Sequence, residues 1–264
     1  MEMIVDAHIS VAIVKSKETE EFLFSRYDET YPVLPYRLAS NTIGGNPKND
    51  RSPFSTWERE ISEEFNNQPP KGEELRDKTS LFAPLEDIVK IRNAILENAR
   101  AYADFYFTTP GLSMDEYLNG IGRGLSNEDV LLKLSQKKRK EVEETGMILR
   151  PGAAIFSTFC SIIPSEEIAR VKFYLDRGER LNTEGGNRIL TREQLISGIE
   201  GEIEKNKAYL TAHCTPFIMQ DFFGLNKPLN HLPGDNAVRL ELPVRATYND
   251  YESDDTFAYN IKYR

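Results

Sequence analysis

Cysteine is scarce in this chain, with Cys160 and Cys214 the two examples. Two thiols in 264 residues do not make a disulfide framework, and no Cys-x-x-Cys pair or Cys/His cluster offers a structural zinc site. The three histidines, His8, His213 and His231, stand far apart. Long hydrophobic runs are missing as well. The most apolar stretch, residues 152–163, is interrupted by Ser157, Thr158 and Ser161, whereas a membrane-spanning helix needs roughly 20 apolar residues. The first ten residues, MEMIVDAHIS, are acidic where a secretory signal is basic. Positive charge is in deficit: 33 Lys and Arg against 42 Asp and Glu give a net charge of −9. A protein that grips nucleic acid neutralises phosphates with clustered cations. These absences point to a cytoplasmic chain without a membrane or nucleic-acid partner.

Enough apolar material is present for a core. The apolar share is 39%, with 14 Phe and 12 Tyr, which is too apolar and too aromatic for a disordered chain. At about 150 residues per domain, the length allows one large domain or two small ones. Residues 4–14 and 21–26 read as a strand pair around a polar turn, and 38–43 as a short strand ending in Gly44-Gly45. Ser52-Pro53 is a helix start, with Ser as N-cap and Pro at the first helical position. That helix is expected to run to about residue 65, where NNQPPK stops it. Apolar side chains from Leu85 to Tyr106 recur at helical spacing and predict a helix over 84–106. Further helices are expected near 114–118 and over 126–144, making 72–148 a helical block. Strand character returns at 153–163 and 169–176. Residues 190–210 read as a helix with a Thr191/Gln194 capping box, 216–223 as a short helix and 238–244 as a strand. The reading is α/β, a single domain over 1–264 with a helical insertion at 72–148.

One segment carries chemistry. Glu60, Glu63 and Glu64 fall at i, i+3 and i+4, which puts three carboxylates on one helix face. Their mutual repulsion is offset by a divalent cation, and hard oxygen donors suit Mg²⁺ or Mn²⁺. Arg59 is placed to orient a carboxylate from the side. Gly45, lacking a Cβ, permits close approach of backbone to a ligand or metal. Elsewhere, Trp57 on the same helix reads as a packing residue.

Gly45, five residues, Arg51, seven residues, then Arg59-Glu60-Ile61-Ser62-Glu63-Glu64 resembles the Nudix box, the signature of the Nudix hydrolases. The REUxEE core is complete. Arg51 stands where the family has Glu, and Asn66 where it has Gly. The resemblance implies a Nudix-like α/β/α sandwich with a mixed sheet, in which the box forms loop, helix and loop. It implies Mg²⁺-dependent hydrolysis of a small-molecule nucleotide, a nucleoside diphosphate linked to another group. By position, Glu60 and Glu64 are the metal ligands, Glu63 a third ligand or a group acting through water, Arg59 the orienting residue, and Gly45 a close backbone neighbour of the metal. Many family members add an acidic residue from a later loop; Glu184, Glu166 and Glu167 are the candidates here. Family members are often homodimers. Arg51 and Asn66 favour the alternative, a Nudix-fold nucleotide-binding or regulatory protein with impaired catalysis.

Overall fold

The computed structural model describes residues 2–5, 7–27, 38–48, 50–67, 81–109, 112–113, 147–149, 152–182, 186–197, 214–229, 236–240 and 245–248. In chain order the elements are β1 (Glu2–Val5), β2 (Ala7–Ser16), β3 (Glu21–Arg26), β4 (Ser40–Asn41), β5 (Ile43–Gly45), α1 (Pro53–Glu64), α2 (Leu85–Glu97), β6 (Ala99–Thr109), β7 (Leu112–Ser113), β8 (Met147–Leu149), β9 (Gly152–Ile163), α3 (Ser165–Asp176), β10 (Asn187–Thr191), α4 (Arg192–Ser197), α5 (Thr215–Phe223), β11 (Asn236–Arg239) and β12 (Arg245–Tyr248). The fold is α/β. Its main sheet runs β10-β3-β2-β9-β6-β11, with β4 against β3 and β5 against β2. The sheet is mixed: β2 and β9 are parallel, and the other ladders are antiparallel.

Alternation along the central strands sorts their side chains onto two faces. Ala12, Val14, Leu23, Phe159 and Ile163 meet Trp57 and Ile61 of α1, Ile88, Ile91 and Ile95 of α2, and Ile168 and Val171 of α3. Val11, Ile13, Phe22, Phe24, Phe105, Phe107 and Phe156 meet Phe217, Ile218 and Met219 of α5 on the other face. Trp57 is fully buried and stacks on Phe159, with ring centroids 5.4 Å apart, so the packing role read from its position holds. On the second face, the Tyr102 hydroxyl and the Arg239 guanidinium both donate to Asp221, at 2.7 and 2.8 Å, and tie α5 to β6 and β11.

The start of α1 follows its sequence. Ser52 and Ser55 exchange side-chain-to-backbone hydrogen bonds in a capping box, and Pro53 opens the helix. The expected Thr191/Gln194 box is present too, with Gln194 Oε1 accepting from the Thr191 amide and Thr191 Oγ1 accepting from the Gln194 amide. It caps the short α4; the rest of the expected helix, 198–210, lies outside the described residues.

Several expectations are corrected. The helix expected over 84–106 ends at Glu97, and 99–109 is a strand between β9 and β11. A register shift between Ala101 and Ala103 breaks the period-2 alternation of this strand, so its apolar residues mimic helical spacing. The expected block 72–148 is therefore not all helical. The helices expected near 114–118 and over 126–144 lie outside the described residues, between β7 and β8, which pair with each other. The segment 169–176, expected as a strand, belongs to α3. There Ile168, Val171 and Tyr174 repeat every three residues and are buried. Glu166 and Glu167 occupy the first turn, where carboxylates favour a helix N-terminus. Glu18 adds to this by accepting from the Ser165 amide at 2.9 Å. The strand expected at 238–244 begins earlier, at Asn236, and pairs to Arg239; 241–244 lie outside the described residues. Among the described residues no helix is long and apolar enough to cross a membrane.

His8 supplies a test of this packing. It is buried on β2, its Nε2 lies 2.7 Å from Ser157 Oγ, and burial pushes its pKa down to about 4. The folded chain therefore keeps His8 neutral while the unfolded chain protonates it near pH 6.5. Stability from this group is complete above pH 6.5 and is lost as pH falls towards 4, by at most about 3 kcal/mol. Urea denaturation followed by Trp57 fluorescence between pH 7 and 4 is expected to show a steeper fall in the wild type than in His8→Gln. Equal slopes would contradict the burial of a neutral imidazole.

Candidate metal centre

β5 pairs with β2, setting Gly45 opposite Ser10 and Gly44 opposite Val11. Both glycines are required by close approach. A Cβ on Gly44, whose φ is +149°, would lie 2.0 Å from the Ser10 carbonyl oxygen. A Cβ on Gly45 would lie 2.6 to 3.0 Å from the carboxyl atoms of Glu60. The Glu60 carboxylate thus rests directly on the backbone of Gly45, in space that any side chain there would fill.

Arg59 organises the acidic side of the site. Its Nε donates to both Asp50 oxygens at 3.2 Å, and Nη2 donates to Asp50 Oδ2 at 2.9 Å and to the Asn46 carbonyl at 2.7 Å. Its Nη1 donates to Glu60 Oε1 at 2.7 Å and to Glu63 Oε2 at 3.0 Å. Lys48 reaches the same Glu63 oxygen at 3.1 Å. One guanidinium therefore ties the loop before α1 to two carboxylates on the helix.

The charges are tuned accordingly. Burial raises the Glu60 pKa above the usual carboxylate value, and the hydrogen bond and charge of Arg59 only partly oppose it. The hydrogen bonds from Arg59 hold Asp50 below its usual value despite burial. For Arg59, burial works against the cation, but Asp50 and Glu60 outweigh it and the pKa rises. Glu60 is thus a carboxylate whose desolvation cost an added cation would offset.

The structure brings Gly45, Arg59, Glu60 and Glu63 together. Glu64, buried on the same helix, accepts a hydrogen bond from Ser25 Oγ of β3 at 3.2 Å. Among the described residues, no group of three His, Cys, Asp or Glu side chains converges as a formed metal cluster. Arg51 is exposed at the mouth of α1. The acidic partner in this loop is its neighbour Asp50, a residue that the motif spacing passes over. An acidic side chain adjacent to the expected position was the available signal. Glu166 and Glu167 lie in the first turn of α3, where Glu167 pairs with Arg170 at 3.0 Å and has no part in the Arg59 cluster. Glu184 lies outside the described residues.

The chain matches no family model and no curated protein.

Gly44 and Gly45 make separable demands. Gly44→Ala drives a methyl into fixed backbone at a left-handed φ, and it is expected to cost about 3 kcal/mol or more. Gly45→Ala meets the flexible end of Glu60, which can shift, and it is expected to cost less than about 1.5 kcal/mol. Paired urea melts check the order; an equal or larger loss in Gly45→Ala would contradict the packing described.

Proposed function

We propose that this chain is a Mg²⁺-dependent hydrolase of the Nudix type, cleaving a nucleoside diphosphate linked to another group. The observation that carries the proposal is the Glu60 carboxylate lying against the bare backbone of Gly45, at the spacing the Nudix box requires. Helices on both faces of a mixed sheet support a Nudix-like sandwich.

The donor set fits a hard divalent cation. Glu60 and Glu63 offer carboxylate oxygens on one side of α1, Glu64 follows one residue on, and the half-buried Glu60 gains from a compensating charge. Glu60, Glu63 and Glu64 would hold Mg²⁺ or Mn²⁺. When bound, the ion neutralises charge developing on the phosphoryl oxygens and makes a water more acidic. Arg59 keeps the carboxylates aligned by anchoring them to Asp50 and to the Asn46 carbonyl. Glu63, more exposed than Glu60, is placed to take a proton from a water at the edge of the site. Ser25 fixes the Glu64 carboxylate on the β3 side.

A second reading rests on a specific contact. Lys48 and Arg59 both neutralise Glu63, and a cation must compete with them for its oxygens. A chain in which they win is a Nudix-fold protein that binds nucleotide without turning it over.

A turnover screen separates the two. Protein with Mg²⁺ or Mn²⁺ is incubated with nucleoside diphosphate sugars, dinucleotides, NADH, ADP-ribose and nucleoside triphosphates. Hydrolysis is expected in the wild type, with kcat reduced about 100-fold or more in Glu64→Gln and Glu60→Gln. Binding without turnover under either metal favours the second reading.

A further inference from the structure

Asp104 is a half-buried carboxylate with no ion-pair partner among the described residues, and aspartates are seldom withdrawn from water without one. It is held from behind. Its cross-strand neighbour Ser157 favours the charged form. The buried His8 Nε2 lies 2.7 Å from Ser157 Oγ in turn. The chain His8, Ser157, Asp104 runs from the core outward and ends on a carboxylate that reaches the surface.

The sheet register aligns this carboxylate with the candidate metal centre. Gly45 pairs with Ser10, Ser10 with Ser157, and Ser157 with Asp104. These four residues form one row on one face; Ser10 and Ser157 in its middle are buried, and its ends, Gly45 and Asp104, are partly exposed. Three strand steps separate Gly45 from Asp104, about 14 Å. That is the scale of a cation, a diphosphate and the sugar attached to it. Beyond Asp104, Tyr106 lies two residues on along β6 and so shares its face, and it pairs directly with Val238 of β11. Val238 is 53% exposed, and Tyr106 is partly exposed. A carboxylate acceptor beside an aromatic ring and an exposed apolar side chain matches a nucleoside, with sugar hydroxyls as donors and a base with an apolar face.

We infer that the β6–β11 end of the sheet is the nucleoside subsite, where Asp104 accepts hydrogen bonds from the ribose hydroxyls and Tyr106 and Val238 flank the base. This rests on the nucleotide reading of the Gly45–Glu60 site and extends it to the sugar. Ser157 and His8 are positioning residues for Asp104.

The test is calorimetric binding of ADP and of 2′,3′-dideoxy-ADP, each with Mg²⁺, to the wild type, Asp104→Asn and Val238→Glu. A hydrogen bond to a charged acceptor predicts that the wild type favours ADP by about tenfold or more. Asp104→Asn is expected to bring the ratio close to one with dideoxy-ADP affinity unchanged. Val238→Glu, an exposed change that spares the fold, is expected to weaken both nucleotides several-fold. A wild type indifferent to the hydroxyls, an Asp104→Asn variant that keeps the preference, or absence of nucleotide binding overturns the subsite. Turnover is scored separately. Hydrolysis without ribose preference removes the subsite and leaves the hydrolase reading. Ribose preference lost in Asp104→Asn, in a protein without turnover, supports the subsite and removes the hydrolase reading.

Discussion

The guanidinium of Arg59 joins three pieces of chain that would otherwise repel or drift. Its fork reaches Asp50 and the Asn46 carbonyl in the loop, and Glu60 and Glu63 on the helix that follows. Isolated surface ion pairs contribute little. This one differs because the cation is shielded, multiply hydrogen-bonded and shared. Without it, the carboxylates of Glu60 and Glu63 would face each other across one helical turn, with Lys48 beside Glu63. The acidity of the cluster is therefore held in a neutralised form.

The sheet independently positions Glu60. β5 lies on β2, Gly45 has no side chain to obstruct the carboxylate, and Trp57 and Ile61 anchor α1 in the core beneath. The same register that positions Gly45 continues through Ser10 and Ser157 to Asp104. Small polar residues in the middle of an otherwise apolar face are costly to bury unless hydrogen-bonded. Their placement in a single row links the glycine–glutamate contact to the far edge of the sheet.

Much of this was legible in the residues themselves. Ser52-Pro53, the Thr191/Gln194 pair and the largely apolar 152–163 run each carry a local signal, and each formed the expected element. The site was legible as a spacing, Gly45 to Arg59 and the glutamates, because helix geometry fixes which side chains share a face. What escaped depended on tertiary surroundings. In residues 99–109 a register shift between Ala101 and Ala103 in the pairing with β9 displaces the alternation of the apolar side chains. Residues 169–176 became helical because α2 and the sheet accept the Ile168, Val171 and Tyr174 stripe. Asp50 and Asp104 escaped for the same reason: a carboxylate's role is set by what folds against it, Arg59 in one case and the Ser157–His8 pair in the other.

The central claim is that Glu60 and its neighbours on α1 exchange their cationic partners for a divalent metal. Electron paramagnetic resonance of Mn²⁺ titrated into the protein, without nucleotide, measures this directly. The account predicts saturable Mn²⁺ binding that Mg²⁺ displaces and that weakens at least tenfold in Glu60→Gln. A folded wild type that leaves the free Mn²⁺ signal unchanged, or a Glu60→Gln variant that binds as well as the wild type, would contradict it.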